Sequence, residues 1–185
     1  RNYAWEGNFK NNPPYPPVER NHVGQYRRIF EVYEDWAGKE IFLHIGSAIS
    51  NVRVWINGKE AGYSEDSKLD ACFNITGYLR QGENTIALEV FRWCDGTYLE
   101  DQDMWRLSGI ARDVYISVRN KKRIEDIHIT GSADGRAALS VVVTDKISDI
   151  EYNITGPDGG IAAKGVLSVR SSDGEMMASA DIMVK

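Results

Sequence analysis

The sequence predicts an all-β protein in two parts: a sandwich or jelly roll over residues 1–122, then a truncated immunoglobulin-like sandwich over residues 123–185. Three observations carry that prediction. Short apolar runs with strand-like alternation recur at spacings of about 8 to 12 residues. Gly, Asn and Asp punctuate them. No window longer than about ten residues keeps a helical period, apart from one turn at Ile75–Arg80.

In the first part, Arg27–Tyr33 alternates as a strand with one buried side would. Glu40–Ile45 follows a turn at Gly38-Lys39, and Val52–Ile56 runs into Asn57-Gly58. That dipeptide is the strongest short hairpin signal, because a type I′ turn needs positive φ at both central residues. Thr85–Phe91 and Val114–Val118 complete the set. In the second part the candidate strands are residues 124–130, 137–144, 150–155, 161–169 and 176–184. Asp134-Gly135, Pro157–Gly160 and Ser172–Gly174 supply turns between them. An immunoglobulin-like sandwich has about seven strands, so these five are expected to form a truncated one.

Composition separates the same two parts. All five Trp, all five Phe and eight of nine Tyr precede residue 121. The first 122 residues carry 16 bases and 17 acids, the remaining 63 carry 6 and 10, which sums to the net charge of -5. The basic stretch Arg119–Arg123 marks the boundary. With no long basic run, nucleic acid is not the expected partner. No apolar stretch approaches a membrane span, so no membrane partner is expected either. The chain shows no signal peptide and opens at Arg1, which reads as a piece of something longer. Cys72 and Cys94 lack metal-ligand companions and are expected to be buried free thiols.

The chemically dense stretch is Arg92–Arg106, with four carboxylates, two Trp, one Tyr and two Arg in fifteen residues. Neighbouring carboxylates repel unless cations, amides or a ligand compensate them. Aromatic rings beside acids suit a sugar, whose apolar face stacks while its hydroxyls donate to carboxylates. The competing explanation is an acidic connecting loop whose aromatics are core and whose acids pair with Arg92, Arg106 and Arg112. Asp101 and Asp103 share a face if extended, yet such spacing arises by chance in any acidic loop. His22, His44 and His128 are scattered and predict no nucleophile–base–acid triad. Residue chemistry therefore favours a binding surface, with no catalytic residue assigned.

Several motifs occur in order: Asn12-Pro13-Pro14, Gly24–Arg28, Val54–Lys59, Gly62–Ser67 and Leu79–Asn84, then Arg92–Ile110 and Arg112-Asp113-Val114. Together they resemble the amino-terminal sugar-binding domain of family-2 glycoside hydrolases. The run from Tyr98 to Trp105 is similar to that of large bacterial β-galactosidases. The resemblance implies a galactose-binding-like jelly roll and an immunoglobulin-like domain, preceding a C-terminal TIM barrel that supplies the catalytic glutamates and magnesium ligands. It implies that Asp103 contacts a galactoside and ligates sodium, and makes Trp105 and Tyr98 further substrate-binding candidates. It also implies a bacterial parent in the cytoplasm or periplasm that can form a homo-oligomer. The family's Tyr-Thr-Asn segment is where this chain departs: counting back from Asn12 without gaps puts Ala4 at its asparagine, and a local insertion would put that residue just before Arg1. Two rival readings are an independent carbohydrate-binding module and a small glycosidase using Asp101 and Asp103.

Overall fold

The computed structural model describes residues 12–65, 67–100, 107–172 and 174–184. The chain divides into two compact units, Arg1–Arg119 and Asn120–Lys185. Both are built from antiparallel strands, and the described residues contain no α-helix. No helix among them is long and apolar enough to cross a membrane. The all-β prediction is borne out.

The first unit contains β1 (Val23–Val32), β2 (Glu40–Ile45), β3 (Ala48–Ile49), β4 (Val52–Ile56), β5 (Lys59–Ser64), β6 (Ala71–Asn74), β7 (Gly82–Phe91), β8 (Gly109–Ile110) and β9 (Val114–Arg119). One sheet has the order β1-β7-β4-β5, a second β6-β2-β9, and β3 pairs with β8. Alternation decides which residues enter the core. Val52, Val54 and Ile56 of β4 and Ile86, Leu88 and Val90 of β7 are buried, and they share one cluster with Ile41, Leu43 and Ile45 of β2. Residues two apart on a strand share a face, so each sheet delivers one apolar row to this core. The edge strand β1 behaves otherwise. Only Phe30 and Val32 turn inward, and Ile29 is exposed.

Asn57 and Gly58 sit at φ 51° and 79°, as the hairpin between β4 and β5 requires. The predicted turn at Ile75–Arg80 is a single 3₁₀ turn, Thr76–Tyr78. Behind it, Asn84 is fully buried and fully bonded. Its amide donates to the carbonyls of Arg80 at 2.6 Å and Gly82 at 2.8 Å. Its Oδ1 accepts from Arg80 N–H at 3.0 Å and from Asn57 Nδ2 at 2.8 Å. Asn57 also donates to Tyr78 and accepts from Thr85 N–H. Two asparagines thus clamp the hairpin turn to the turn that starts β7.

The second unit contains β10 (Ile124–Gly131), β11 (Arg136–Val143), β12 (Asp149–Thr155), β13 (Ile161–Ser168), β14 (Arg170–Ser172) and β15 (Glu175–Met183). A sheet of order β10-β11-β15-β14 is accompanied by the β12–β13 hairpin. Val141, Val143, Leu167 and Ala178 come from both sheets and form one small buried cluster. Gly135, Gly159 and Gly174 hold the turns at positive φ. The five expected strands are β10 to β13 and β15; β14 is a sixth, short strand beyond them, following β13 after Val169.

Candidate functional site

The acidic, aromatic segment leaves the end of β7. Arg92 N–H donates to the His22 carbonyl at 2.9 Å. Asn21 then clasps Trp93 from both sides of its peptide, accepting from its N–H at 2.9 Å and donating to its carbonyl at 3.0 Å. The Trp93 ring is buried, and the Arg92 guanidinium lies 4.9 Å from its centroid. This is core chemistry with a cation–π cover.

A 3₁₀ turn follows at Asp95–Tyr98. Cys94 N–H donates to Thr97 Oγ1 at 3.0 Å, and Thr97 N–H returns a bond to the Cys94 carbonyl at 3.1 Å. Asp95 Oδ1 accepts from Gly96 N–H, so Asp95-Gly96 is turn chemistry. The buried Cys94 thiol and the Ser67 hydroxyl both donate to the Ser50 carbonyl, at 3.9 and 3.1 Å. Ser67 N–H meets Glu100 Oε1 at 3.3 Å. Ser50, Ser67, Trp93 and Glu100 line one narrow cleft together with Leu107 and Ser108.

Tyr98 is half-buried, and its hydroxyl works within the chain. It donates to the Tyr15 carbonyl at 2.9 Å and accepts from Asn12 N–H at 3.3 Å. Tyr98 therefore ties the Asn12–Tyr15 turn to the segment. Asp103 and Trp105 lie outside the described residues, as do Asp101 and Arg106. Of the arginines expected to neutralise the acids, Arg92 covers Trp93 and Arg112 donates to the Lys68 carbonyl at 2.8 Å.

Carboxylates gather beside the turn. Ligand atoms of Glu65, Cys94 and Asp95 lie within 4.8 Å of one another. Burial pushes the Glu65 carboxyl above the usual range, and a hydrogen bond with Asp95 and the charges of Asp95 and Glu100 push the same way. A bond donated by the Tyr63 hydroxyl opposes them. Burial and then the Glu65 contact raise the Tyr63 phenol in turn. A proton held by such a group of acids costs less than full ionisation. The thiol makes this set a poor match to sodium, which takes hard oxygen donors.

One cluster was not anticipated. His44 is buried, with Nδ1 3.0 Å from Asp70 Oδ2 and Nε2 2.9 Å from Ser117 Oγ. Cys72 lies opposite His44 on the neighbouring strand and is exposed, which corrects the expectation of two buried thiols; only Cys94 is buried. Short β6 turns Cys72 to the outer face of its sheet, away from the core row.

The first unit is thus an antiparallel β-sandwich with an acidic, aromatic segment anchored at the end of β7. Residues 8–119 match the family model for glycosyl hydrolases family 2, sugar binding domain, and the chain belongs to that family. Among its relatives, a β-galactosidase of Priestia megaterium is 46% identical over 132 residues, covering 71% of this chain and 13% of the relative. A β-galactosidase of Streptococcus thermophilus is 34% identical over 184 residues, covering 96% of this chain and 18% of the relative. The chain thus spans less than a fifth of the length of either. A solved Bifidobacterium dentium β-glucuronidase shares the fold with a TM-score of 0.71 at 19% identity, over 90% of this chain and 34% of that one. The family resemblance read from the motifs is borne out.

Proposed function

We propose that this chain is the sugar-binding portion of a β-galactosidase and contributes to a galactoside site without supplying the catalytic groups. The observation that carries this reading is the β-galactosidase identity of relatives at 46% and 34%. In this reading a C-terminal TIM barrel of the parent holds the paired glutamates and the magnesium. Asp103 accepts from a galactosyl hydroxyl and gives sodium one oxygen ligand, the others coming from the parent. Trp105 offers a stacking face. Tyr98 has its hydroxyl hydrogen committed to Tyr15, so its part is its ring and the placement of the segment.

The test is steady-state kinetics of the full-length parent and its Asp103→Asn variant over a sodium titration, with melting temperature as the folding control. Hydrogen bonds to charged groups contribute roughly 1.5 to 3 kcal/mol, so kcat/KM should fall about ten- to hundredfold. The sodium response should weaken with it. A folded variant with near-normal kcat/KM and sodium response refutes the assignment. Hydrolysis of a chromogenic β-galactoside by the 185-residue chain alone would refute the accessory role. Galactoside binding by the chain alone would instead favour an independent carbohydrate-binding module.

A further inference from the structure

The sheet β6-β2-β9 carries a second chemical arrangement on the face opposite the core row. His44 pairs in register with Cys72 of β6 and Tyr115 of β9, and such directly opposed residues bring their side chains together. The Tyr115 ring stacks parallel on the imidazole at 2° and 4.6 Å, and His44 is only 5% exposed. The groups facing His44 are Asp70 before β6, Cys72 on it, and Tyr115 and Ser117 on β9. Further along β9, Arg119 lies over the Phe42 ring.

The hydrogen bonding fixes what the ring can do. Asp70 is a carboxylate acceptor, so Nδ1 carries the hydrogen and Nε2 presents its lone pair. Nε2 faces two acidic hydrogens, that of Ser117 Oγ at 2.9 Å and that of Cys72 Sγ at 3.7 Å. A nucleophile, a base within reach and a carboxylate orienting the base form the arrangement that activates thiols and hydroxyls. A thiol ionises far more readily than a serine hydroxyl, so the proton that moves to Nε2 comes from sulfur. Cys72 is also the exposed member of the group. A buried histidine bonded at both nitrogens, rather than the cysteine alone, marks the site.

We propose that Cys72 is a reactive thiol, activated by the Asp70–His44 pair, that exchanges with low-molecular-weight disulfides and becomes S-thiolated. The Cys72 proton passes to Nε2, and the thiolate attacks one sulfur of the disulfide. A new sulfur–sulfur bond forms as the old one breaks. The leaving thiolate takes the electron pair and recovers the proton from the imidazolium. Cys72 is oxidised to a mixed disulfide, and the other half of the reagent is reduced to a thiol. This inference stands apart from the galactoside reading, since no residue is shared between the two.

The test is the reaction of the 185-residue chain with the chromogenic disulfide DTNB, followed over pH, and with glutathione disulfide followed by intact mass. One thiol should react fast and disappear in Cys72→Ser, while buried Cys94 stays slow. An ordinary thiol has a pKa of about 8.5 and is only a few per cent thiolate at pH 7. A base in hydrogen-bond reach raises the thiolate fraction, and the lower nucleophilicity of the activated sulfur returns part of that gain. His44→Gln and Asp70→Asn should therefore each slow the reaction roughly fivefold at pH 7. Ser117→Ala, which removes the competing donor, should react at least as fast as the parent chain. Should His44→Gln fail to fold, the half-exposed Asp70 supplies the same test, and the rate–pH midpoint of the unmodified chain supplies another. A midpoint at the free-thiol value, or an unchanged rate in folded Asp70→Asn, overturns the proposal.

Discussion

Replacing Asn84 by Ala tests how much of this sandwich rests on one side-chain amide. The substitution removes four hydrogen bonds, two donated to Arg80 and Gly82 and two accepted from Arg80 and Asn57. Each is worth about 1 kcal/mol net, and a buried group left unpaired costs roughly 1 to 3 kcal/mol. Water can reach part of the Arg80 backbone at the turn, which lowers the sum to about 3 kcal/mol. For a unit of about this size, 1 kcal/mol moves Tm by roughly 4 °C, so the loss should be about 12 °C. All five Trp precede Arg106, so tryptophan fluorescence during heating reports on the first unit. Asn57→Gly keeps the positive φ and removes the partner amide. The double variant should then lose about 1 kcal/mol less than the sum, because the Asn57–Asn84 bond is counted in both singles. A Tm within about 3 °C of the parent, or strict additivity, would refute the clamp.

Glu65→Gln should change the pH dependence of stability. The folded state raises the Glu65 carboxyl, so its contribution is full below the ordinary carboxylate range and is lost as pH rises through the raised value. The variant should match the parent near pH 4 and exceed its Tm at pH 7 to 8; equal curves across the range would count against the carboxyl cluster. The second unit should exchange its amide hydrogens faster than the first, because its buried cluster has four residues against twelve. Uniform protection of residues 25–118 and 124–183 would contradict this.

The parts of the fold legible in the sequence are those where local and tertiary demands agree. Glu40–Ile45 and Val52–Ile56 were read with their observed bounds, because each is an apolar run ended by a turn and each lies inside a sheet. Asn57-Gly58 was legible because its backbone demand is local. Lys59–Ser64 was missed: β5 carries two charges and a glycine and is a strand through its pairing with β4. The alternation read over Arg27–Tyr33 holds at its end, where Phe30 and Val32 turn inward and Ile29 faces out, since an edge strand contributes to the core only where the opposite sheet reaches it. The His44 cluster lay beyond pattern reading altogether. Its partners are 26, 28 and 73 residues away, and only strand register brings them together.

The same register explains why the acidic segment is a candidate site rather than a loose connection. Its first arm is fixed at Trp93 by Asn21, at Cys94 by Ser50 and at Glu100 by Ser67. The returning arm is fixed where β8 pairs with β3 and where Ala111 N–H donates to the Ser47 carbonyl at 3.1 Å. Glu100 of the first arm and Leu107 of the returning arm line one cleft. Buried Trp93 and the bonded Tyr98 hydroxyl therefore serve position more than contact.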